Sequence, residues 1–339
     1  MNRLFMGCCL LLLAACDSPS STTKTKPMEL IGTVERLDPA LDTIIKQDAQ
    51  AEILAQGFDW SEGPVWVAEH NMLLFSDIPP NKIYKWTEAK GLELYLTPSG
   101  YTDTTTKRGG EVGSNGLIIS PIDGKLVLCQ HGDRRMAYMN APMLAPAPSF
   151  VTIADKYQGK KLNSPNDAVF RSNGDIFFTD PPYGLEKNMD DPLKEIPFQG
   201  VYKVTRQGEV TLLIDSITRP NGIAFLPGEK TLIVANSDPQ KAVWYMYDVG
   251  PGDTLTSVGL LHDATEAGKT GKGLPDGLKV NRKGIIFATG PGGIWIFNPD
   301  RKLLGKIKIP EPCSNVAFSD DEKTLYITND NNLLRVKLL

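Results

Sequence analysis

Hydrophobic and polar positions along this chain form one pattern that recurs six times after residue 60. In each copy an acidic or amide residue opens a short apolar run, a polar turn follows, and a second apolar run ends in a small or polar residue. Two short apolar runs joined by such a turn are typical of a β-hairpin. The six copies begin at Glu62, Asn115, Asn166, Asn221, Asp276 and Asn315.

The spacing of these copies predicts the fold. Successive copies start 53, 51, 55, 55 and 39 residues apart, and further strand-like runs such as Lys82–Trp86 and Val243–Tyr247 fill the gaps. Repeats of about 40–55 residues that hold several short strands are typical of β-propellers. We therefore predict an all-β, six-bladed β-propeller over residues 29–339. Since the last interval is short, a strand from the other end of the ring should complete the last blade, with Ala51–Leu54 or Asn332–Leu338 as candidates.

The first residues carry a different pattern. Arg3 precedes an apolar run that has the proportions of a secretory signal peptide and is too short for a membrane-spanning helix. Leu13–Ala14–Ala15–Cys16 resembles the bacterial lipobox, which predicts a signal peptide over residues 1–16 and a lipid on Cys16. An ordinary signal peptide with an incidental cysteine is the alternative.

The segment after the lipobox predicts where the protein resides. Residues 17–28 are rich in Ser, Thr and Lys and predict a flexible tether. We expect a lipid-anchored protein of the bacterial cell envelope that faces the periplasm and meets the membrane only through Cys16. In enteric bacteria Asp17 would favour retention in the inner membrane.

Composition narrows the class of protein further. Hydrophobic residues make up 41% and charged residues 22%, as in folded globular proteins. The 36 Lys and Arg against 40 Asp and Glu give a net charge of −4, so we expect no nucleic-acid partner. The cysteines that follow the lipobox, Cys129 and Cys313, lack zinc-type spacing. They predict two buried thiols, with a disulfide between them as the alternative.

The six opening residues are the candidate site. Equivalent positions of propeller blades lie on a ring about the axis, so these side-chain oxygens should meet at one mouth of the tunnel. Asn–Gly and Asp–Gly pairs also form ordinary turns, which would explain Asn115, Asn221 and Asp276 but not Glu62. Two carboxylates and several amide oxygens suit Ca²⁺, with Mg²⁺, Mn²⁺ or Zn²⁺ as alternatives. We therefore predict a central site for one divalent metal.

Several separated motifs resemble the gluconolactonase/SMP-30 (regucalcin-like) family, in particular its bacterial gluconolactonase branch. The resemblance extends from about Gly57 to the C-terminus and implies a six-bladed propeller with one catalytic divalent metal in its tunnel. The motifs are Ser61–Trp66, His131–Arg135, Ser164–Asp167, Phe178–Gly184, Arg219–Ala224 and Leu274–Gly277.

The resemblance also implies residue roles and a reaction. The implied metal ligands are Glu62, Asn166, Asn221 and Asp276, and the implied reaction is hydrolysis of small sugar lactones. Some members of the family hold the sugar with an Arg two residues before the Asn of the third blade, where this chain has Ser164. This departure leaves the identity of the substrate open.

We predict metal-assisted ester hydrolysis at this site. The metal would polarise the lactone carbonyl, and Asp276 would act as the general base for water or as the nucleophile. No Gly-x-Ser-x-Gly motif appears, which disfavours a serine hydrolase. The candidate substrate-binding residues are Asn115, His131, Arg134 and Tyr183, of which His131 and Arg134 have structural roles as alternatives.

Two other functions remain open. An aryl-ester or phosphotriester hydrolase could use the same metal ligands, and a non-catalytic propeller could serve as a periplasmic scaffold. The oligomeric state is not predicted. The long segments 96–113 and 184–199 are the predicted loops over the mouth of the tunnel.

Overall fold

The computed structural model describes residue 1 and residues 29–339. Within residues 29–339, six antiparallel sheets of four or five strands form the blades of a propeller, which confirms the predicted fold. Apart from residue 1, the predicted signal peptide, Cys16 and the tether lie outside the described residues. No helix among the described residues is long and apolar enough to cross a bilayer.

Three strands precede the first blade, and two blades follow before a small separate hairpin. The leading strands are β1 (Leu30–Ile31), β2 (Thr33–Arg36) and β3 (Ala51–Gln56). Blade 1 holds β4 (Ser61–Val67), β5 (Met72–Asp77), β6 (Lys82–Thr87) and β7 (Gly91–Leu96). Blade 2 holds β8 (Ser114–Ile119), β9 (Leu126–Gln130), β10 (Arg135–Met139) and β11 (Phe150–Ala154). The hairpin is β12 (Lys156–Tyr157) and β13 (Lys160–Lys161).

The remaining four blades follow in chain order. Blade 3 holds β14 (Ala168–Phe170), β15 (Ile176–Asp180), β16 (Gly200–Val204) and β17 (Val210–Ile214). Blade 4 holds β18 (Pro220–Phe225), β19 (Thr231–Asp238), β20 (Lys241–Val249) and β21 (Leu255–Asp263). Blade 5 begins with β22 (Leu278–Val280), β23 (Ile286–Gly290), β24 (Gly293–Phe297) and β25 (Leu303–Lys308). Blade 6 begins with β26 (Cys313–Phe318), β27 (Thr324–Asn329) and β28 (Asn332–Lys337).

Helices are few and short within the described residues. One turn of α-helix, α1 (Thr265–Gly268), lies between blades 4 and 5. The 3₁₀ helices are Pro39–Thr43, Ala68–His70, Asn188–Asp190 and Pro251–Asp253.

Strands from the N-terminal segment close the ring. β3 pairs antiparallel with β28, so Ala51–Leu54 completes the sixth blade as predicted. β1 extends the same blade through β3, and β2 pairs with β25 at the outer edge of blade 5. The pairing of β2 was not predicted, because a strand of four residues shows little periodicity. Closure pairs the edges that an open sheet would expose.

The opening residue of each repeat lies at the start of the innermost strand of its blade. A β-bulge spans the opening residue in blades 1, 2, 4 and 6. Bulges bend a strand and turn a side chain in a new direction. Four opening residues lie within the first three residues of their strands, and Asn166 and Asp276 precede β14 and β22 by two residues.

Glycine follows the opening residue in four repeats for a steric reason. A Cβ atom at Gly116 would lie 2.7 Å from the carbonyl oxygen of Asn166 in the next blade. Neighbouring inner strands therefore approach so closely that only glycine fits. Since Gly116, Gly222 and Gly277 have no positive φ, they are not turn glycines. The same backbone approach occurs at Gly63 against Asn115 and at Gly222 against Asp276, whereas Gly277 makes room for the side chain of Asn315.

The hydrophobic core lies between the blades. One cluster joins strands of blades 5 and 6 with Leu41 and Ile45 of the N-terminal segment. Cys313 belongs to this cluster and Cys129 to the cluster between blades 2 and 3. Both cysteines are buried and free, which agrees with the prediction of two buried thiols.

Candidate active site

Five of the six opening residues line one cavity at an end of the tunnel. The cavity has a volume of about 500 Å³. Because each residue begins the inner strand of a different blade, five separate parts of the chain contribute to one surface. The opening residues at this cavity are Glu62, Asn115, Asn166, Asn221 and Asp276, and Trp60, Glu111, Tyr183 and Arg219 also line it.

The polar atoms at this surface include buried oxygens without hydrogen-bond partners in the described residues. Glu62 Oε2 accepts a hydrogen bond of 2.5 Å from the backbone N–H of Gly63. Buried polar atoms in proteins are nearly always hydrogen-bonded, so this cluster calls for a partner that is not a protein group. The unpaired oxygens are the Oδ1 atoms of Asn115, Asn166, Asn221 and Asp276.

The donor set fits a hard divalent cation. Ca²⁺ binds carboxylates and amide carbonyl oxygens in flexible geometry, and Glu62 and Asp276 supply two negative charges. Within residues 29–339 no three His, Cys, Asp or Glu side chains form a cluster able to hold a metal. A cation at this cavity would therefore depend on the amide oxygens as much as on the two carboxylates.

The electrostatics of the two carboxyl groups agree with this donor set. Burial raises the pKa of Glu62 to about 8. Burial, followed by the charge of Glu62, raises the pKa of Asp276 well above its usual value. Without a counter-charge these groups retain protons near neutral pH, and a cation would replace those protons.

Hydrogen bonds orient the Asn221 side chain. Its Nδ2 donates to Ser237 Oγ over 3.0 Å, and Ser237 Oγ donates to the carbonyl oxygen of Pro275 over 2.5 Å. This chain of bonds joins blade 4 to the segment that carries Asp276. It also fixes the amide so that Asn221 Oδ1 remains unpaired at the cavity.

The polar residue that ends the second strand of a repeat holds the segment before the opening residue. Asp180 accepts hydrogen bonds of 2.8 Å from the backbone N–H groups of Asn163 and Ser164. Asp77 accepts two bonds of 3.0 Å from the backbone N–H groups of Asp59 and Trp60. Asp77, at the end of β5, and Asp180, at the end of β15, therefore position the opening residues of blades 1 and 3.

The sixth opening residue, Asn315, has a different role. Its Oδ1 lies 3.2 Å from Lys279 Nζ, and its Nδ2 lies 3.4 Å from Asp167 Oδ2. Lys279 Nζ lies 3.5 Å from the same carboxylate. Asn315 therefore belongs to a charged cluster beside the ring rather than to the cavity wall. Lys279 also lines a second, mainly apolar cavity of about 690 Å³.

The predicted substrate residue Tyr183 lines the cavity. Its loop is braced by Ser164, whose Oγ donates to the carbonyl oxygen of Pro181 over 2.6 Å and accepts from the N–H of Gly184 over 2.9 Å. Ser164 is fully buried. It therefore supports the cavity wall and offers no group to a bound molecule.

Arg134, also predicted to bind substrate, does not reach the cavity. Its Nε donates to the carbonyl oxygen of Leu162 and its Nη1 to that of Leu193, both over 2.8 Å. The side chain is buried, with its donors used by backbone carbonyls. Arg134 therefore acts within the protein, through backbone carbonyls and not through the pair with Asp133 that was the alternative. The neighbouring Arg135 pairs with Asp133 at 2.9 Å.

His131 is buried behind the cavity wall. Its Nδ1 lies 3.6 Å from Glu111 Oε2, and its ring also faces the backbone of Glu111. Burial lowers the pKa of His131 to about 3, so the ring is neutral. His131 is therefore placed to act on the cavity through Glu111 rather than by direct contact.

The sequence patterns missed several residues of the cavity wall. Glu111 lies in the predicted lid 96–113, but nothing in the repeat singles it out. Arg219 appeared only as part of the motif around Asn221. Of the two predicted lids, residues 184–199 supply no lining residue, and the segment between β21 and β22 supplies Gly268, Gly271, Gly273 and Leu274 instead.

The fold and the site together define a six-bladed propeller with an oxygen-lined cavity on its axis. The chain belongs to the SMP-30/gluconolactonase/LRE-like family, whose model matches residues 60–331. This membership confirms the resemblance seen in the sequence motifs.

Individual relatives are similar along most of the chain. The chain is 38% identical over 312 residues to a gluconolactonase of Zymomonas mobilis, covering 91% of this chain and 86% of that protein. The solved structure of a gluconolactonase from Xanthomonas campestris superposes with a TM-score of 0.77 at 26% identity, covering 93% of this chain and 99% of that one. Diisopropyl-fluorophosphatase of Loligo vulgaris is 25% identical over 198 residues, covering 54% and 60% of the two chains.

Proposed function

We propose that this protein is a metal-dependent hydrolase that opens small sugar lactones. The observation that carries the proposal is the set of four buried, unpaired oxygens on Asn115, Asn166, Asn221 and Asp276 at one cavity. The similarity to two gluconolactonases, one by sequence and one by structure, supports the substrate class.

Glu62, Asn166, Asn221 and Asp276 would hold one divalent cation, and Ca²⁺ matches their oxygens best. Mg²⁺, Mn²⁺ and Zn²⁺ remain alternatives. When bound, the cation would supply a Lewis acid for the lactone carbonyl. Asn115, predicted to bind substrate, presents an unpaired Oδ1 at the same cavity and is available to either role.

The chain's own residues account for the proton transfer. The Asp276 carboxylate accepts a proton from the water that attacks the carbonyl carbon. The bond between that carbon and the ring oxygen then breaks, the ring oxygen takes this proton from Asp276, and the product is a hydroxy acid. Tyr183 and Trp60 form the wall against which the lactone ring would lie, and Arg219 offers hydrogen-bond donors at the same wall.

A phosphotriester or aryl-ester hydrolase is the second candidate. The similarity to diisopropyl-fluorophosphatase favours it, although that match covers only about half of this chain. The same oxygens would serve both reactions, so substrate turnover must distinguish them.

A substrate panel tests the proposal. The protein would be offered glucono-, galactono- and xylonolactones, an aryl ester and a phosphotriester in a pH-stat, before and after EDTA treatment and Ca²⁺ addition. We expect lactone hydrolysis that EDTA and Asp276→Ala both abolish. Preferred turnover of the phosphotriester would favour the second candidate. Bound calcium without turnover of any substrate would favour a scaffold.

We also propose that Cys16 carries a lipid that anchors the protein to the bacterial envelope, facing the periplasm. The support is the lipobox-like Leu13–Ala14–Ala15–Cys16 and the apolar run before it. The polar segment 17–28 would act as the tether between the lipid and the propeller.

A further inference from the structure

Glu111 is a carboxylate on the cavity wall outside the ring of opening residues. It lies in the loop between β7 and β8, and its side chain is 38% exposed. Its carboxylate makes no hydrogen bond within residues 29–339, and its distance to His131 Nδ1, 3.6 Å, is too long for one. Glu111 is thus a strong acceptor that faces the cavity without a donor.

The imidazole of His131 lies behind Glu111. His131 is fully buried, and its ring faces both the carboxylate and the backbone of Glu111. A neutral imidazole carries one N–H donor. A hydrogen bond from this N–H to the Glu111 carboxylate needs the two groups to approach closer than their present 3.6 Å. One carboxylate oxygen would then be held by His131, and the other would face the cavity.

Hydrogen bonds from Arg108 to two neighbouring loops limit the movement of Glu111 relative to His131. Arg108, in the same loop as Glu111, donates to the carbonyl oxygen of Gly132 over 2.8 Å and to that of Gly184 over 3.3 Å. These bonds fasten the Glu111 loop to the residue after His131 and to the loop of Tyr183. Glu111 is therefore held beside the cavity by contacts that do not involve the ring.

A sugar lactone carries the hydrogen-bond donors that the Glu111 carboxylate lacks. Its ring carries several hydroxyl donors, and a carboxylate forms strong hydrogen bonds with hydroxyl groups. A lactone without hydroxyls would displace water from Glu111 and leave the charge unpaired, which is how binding sites reject analogues that lack a polar group.

We propose that Glu111, positioned by His131, selects polyhydroxylated lactones over unsubstituted lactones by accepting hydrogen bonds from the substrate hydroxyl groups. The inference rests on the proposed lactonase function and names the specificity of the same cavity. Glu111 does not belong to the set that would hold the cation. Its removal should therefore impair the reaction of a hydroxylated lactone more than that of a lactone that has no hydroxyls.

The test compares two lactones with the same six-membered ring. Full-length wild type and Glu111→Gln would be assayed with glucono-δ-lactone and with δ-valerolactone, which has no hydroxyl groups. We expect Glu111→Gln to raise KM for glucono-δ-lactone about tenfold or more with kcat within about threefold. For δ-valerolactone we expect the fall in kcat/KM to be at least about fivefold smaller than for glucono-δ-lactone.

Variants of His131 test the positioning role. His131→Phe removes the donor, and we expect KM for glucono-δ-lactone to rise about threefold to tenfold while kcat is nearly unchanged. His131→Gln restores an N–H donor and should recover part of the loss. Ca²⁺ binding by calorimetry should stay within about twofold of wild type in the two His131 variants, which excludes damage to the ring of opening residues.

Two results would overturn the inference. Equal losses on both lactones would show that Glu111 serves the reaction in general, and an unchanged KM in Glu111→Gln would show that it does not meet the substrate. If wild type hydrolyses neither lactone, the proposed function fails. Calorimetric binding of sorbitol, a neutral polyol, then decides the role of Glu111, since weaker binding to Glu111→Gln supports it and equal binding refutes it.

Discussion

A Cβ atom placed on Gly222 would lie 2.2 Å from the carbonyl oxygen of Asp276. The inner strand of blade 4 and the segment that opens blade 5 therefore touch through their backbones beside two of the proposed ligands. This contact links the packing of the blades to the spacing of Asn221 and Asp276.

Gly222→Ala should accordingly damage stability and cation binding together. The added methyl group has backbone on its far side, so the blades must separate, at a cost of about 1–3 kcal/mol in the free energy of unfolding. We expect Ca²⁺ affinity to fall about tenfold or more because the ring oxygens move apart. Denaturant unfolding and calorimetry would measure the two effects.

Gly268→Ala is the matched control. Its Cβ would meet nothing closer than 3.7 Å, and Gly268 lies in the single helical turn α1. Its unfolding free energy should change by less than about 0.5 kcal/mol. Equal stability of Gly222→Ala and Gly268→Ala would contradict the close-contact explanation.

Replacing Asp276 with its neutral isostere should stabilise the protein when metal is removed. Asp276 and Glu62 are buried at one cavity with raised pKa values, so their charged forms are unfavourable in the fold. We expect Asp276→Asn to raise the melting temperature in EDTA at pH 8 and to lose the increase that Ca²⁺ gives wild type. Calorimetric melting curves would check this, and a lower melting temperature in EDTA would contradict it.

The stability of the metal-free protein should depend on pH in a defined direction. The pKa of Glu62 rises from an ordinary 4.5 to about 8 on folding, so the folded state binds more protons than the unfolded state between these values. Stability in EDTA should therefore fall as pH rises from about 5 to about 8. Asp276, whose pKa is raised as well, acts in the same direction.

Calcium should reverse this trend, because it binds the deprotonated carboxylates and its affinity increases with pH. Thermal unfolding from pH 5 to pH 8, with EDTA and with Ca²⁺, gives the two curves. Parallel curves would show that the cation does not replace protons on these groups.

The sixfold repeat made both the propeller fold and the ring of opening residues predictable. An opening residue recurs at or just before the start of each inner strand. The cavity wall was less predictable, because Glu111 and the segment before Asp276 lie in connections that the repeat does not constrain. Arg134 and Asn315 illustrate the same limit. Both are polar residues at motif positions, but only their hydrogen-bond partners show that they act within the protein.

The proposed lipid anchor can be tested by one substitution. Cys16→Ser removes the thiol that would carry the lipid, so the protein should move from the membrane fraction to the soluble fraction of the envelope. Fractionation of cells that express wild type or Cys16→Ser would measure this. Cys9→Ser, also in the predicted signal peptide, is the control and should remain in the membrane fraction. Equal distribution of both variants would refute the anchor.

The central claim is that one bound divalent cation and lactone hydrolysis belong to the same site. The most direct measurement is a Ca²⁺ titration of the EDTA-treated protein that records bound calcium and the rate of glucono-δ-lactone hydrolysis in one sample. The account predicts that both saturate together at one calcium per chain, and that Asn166→Ala weakens both. Full hydrolysis in EDTA, or one bound calcium without hydrolysis of any lactone, would contradict it.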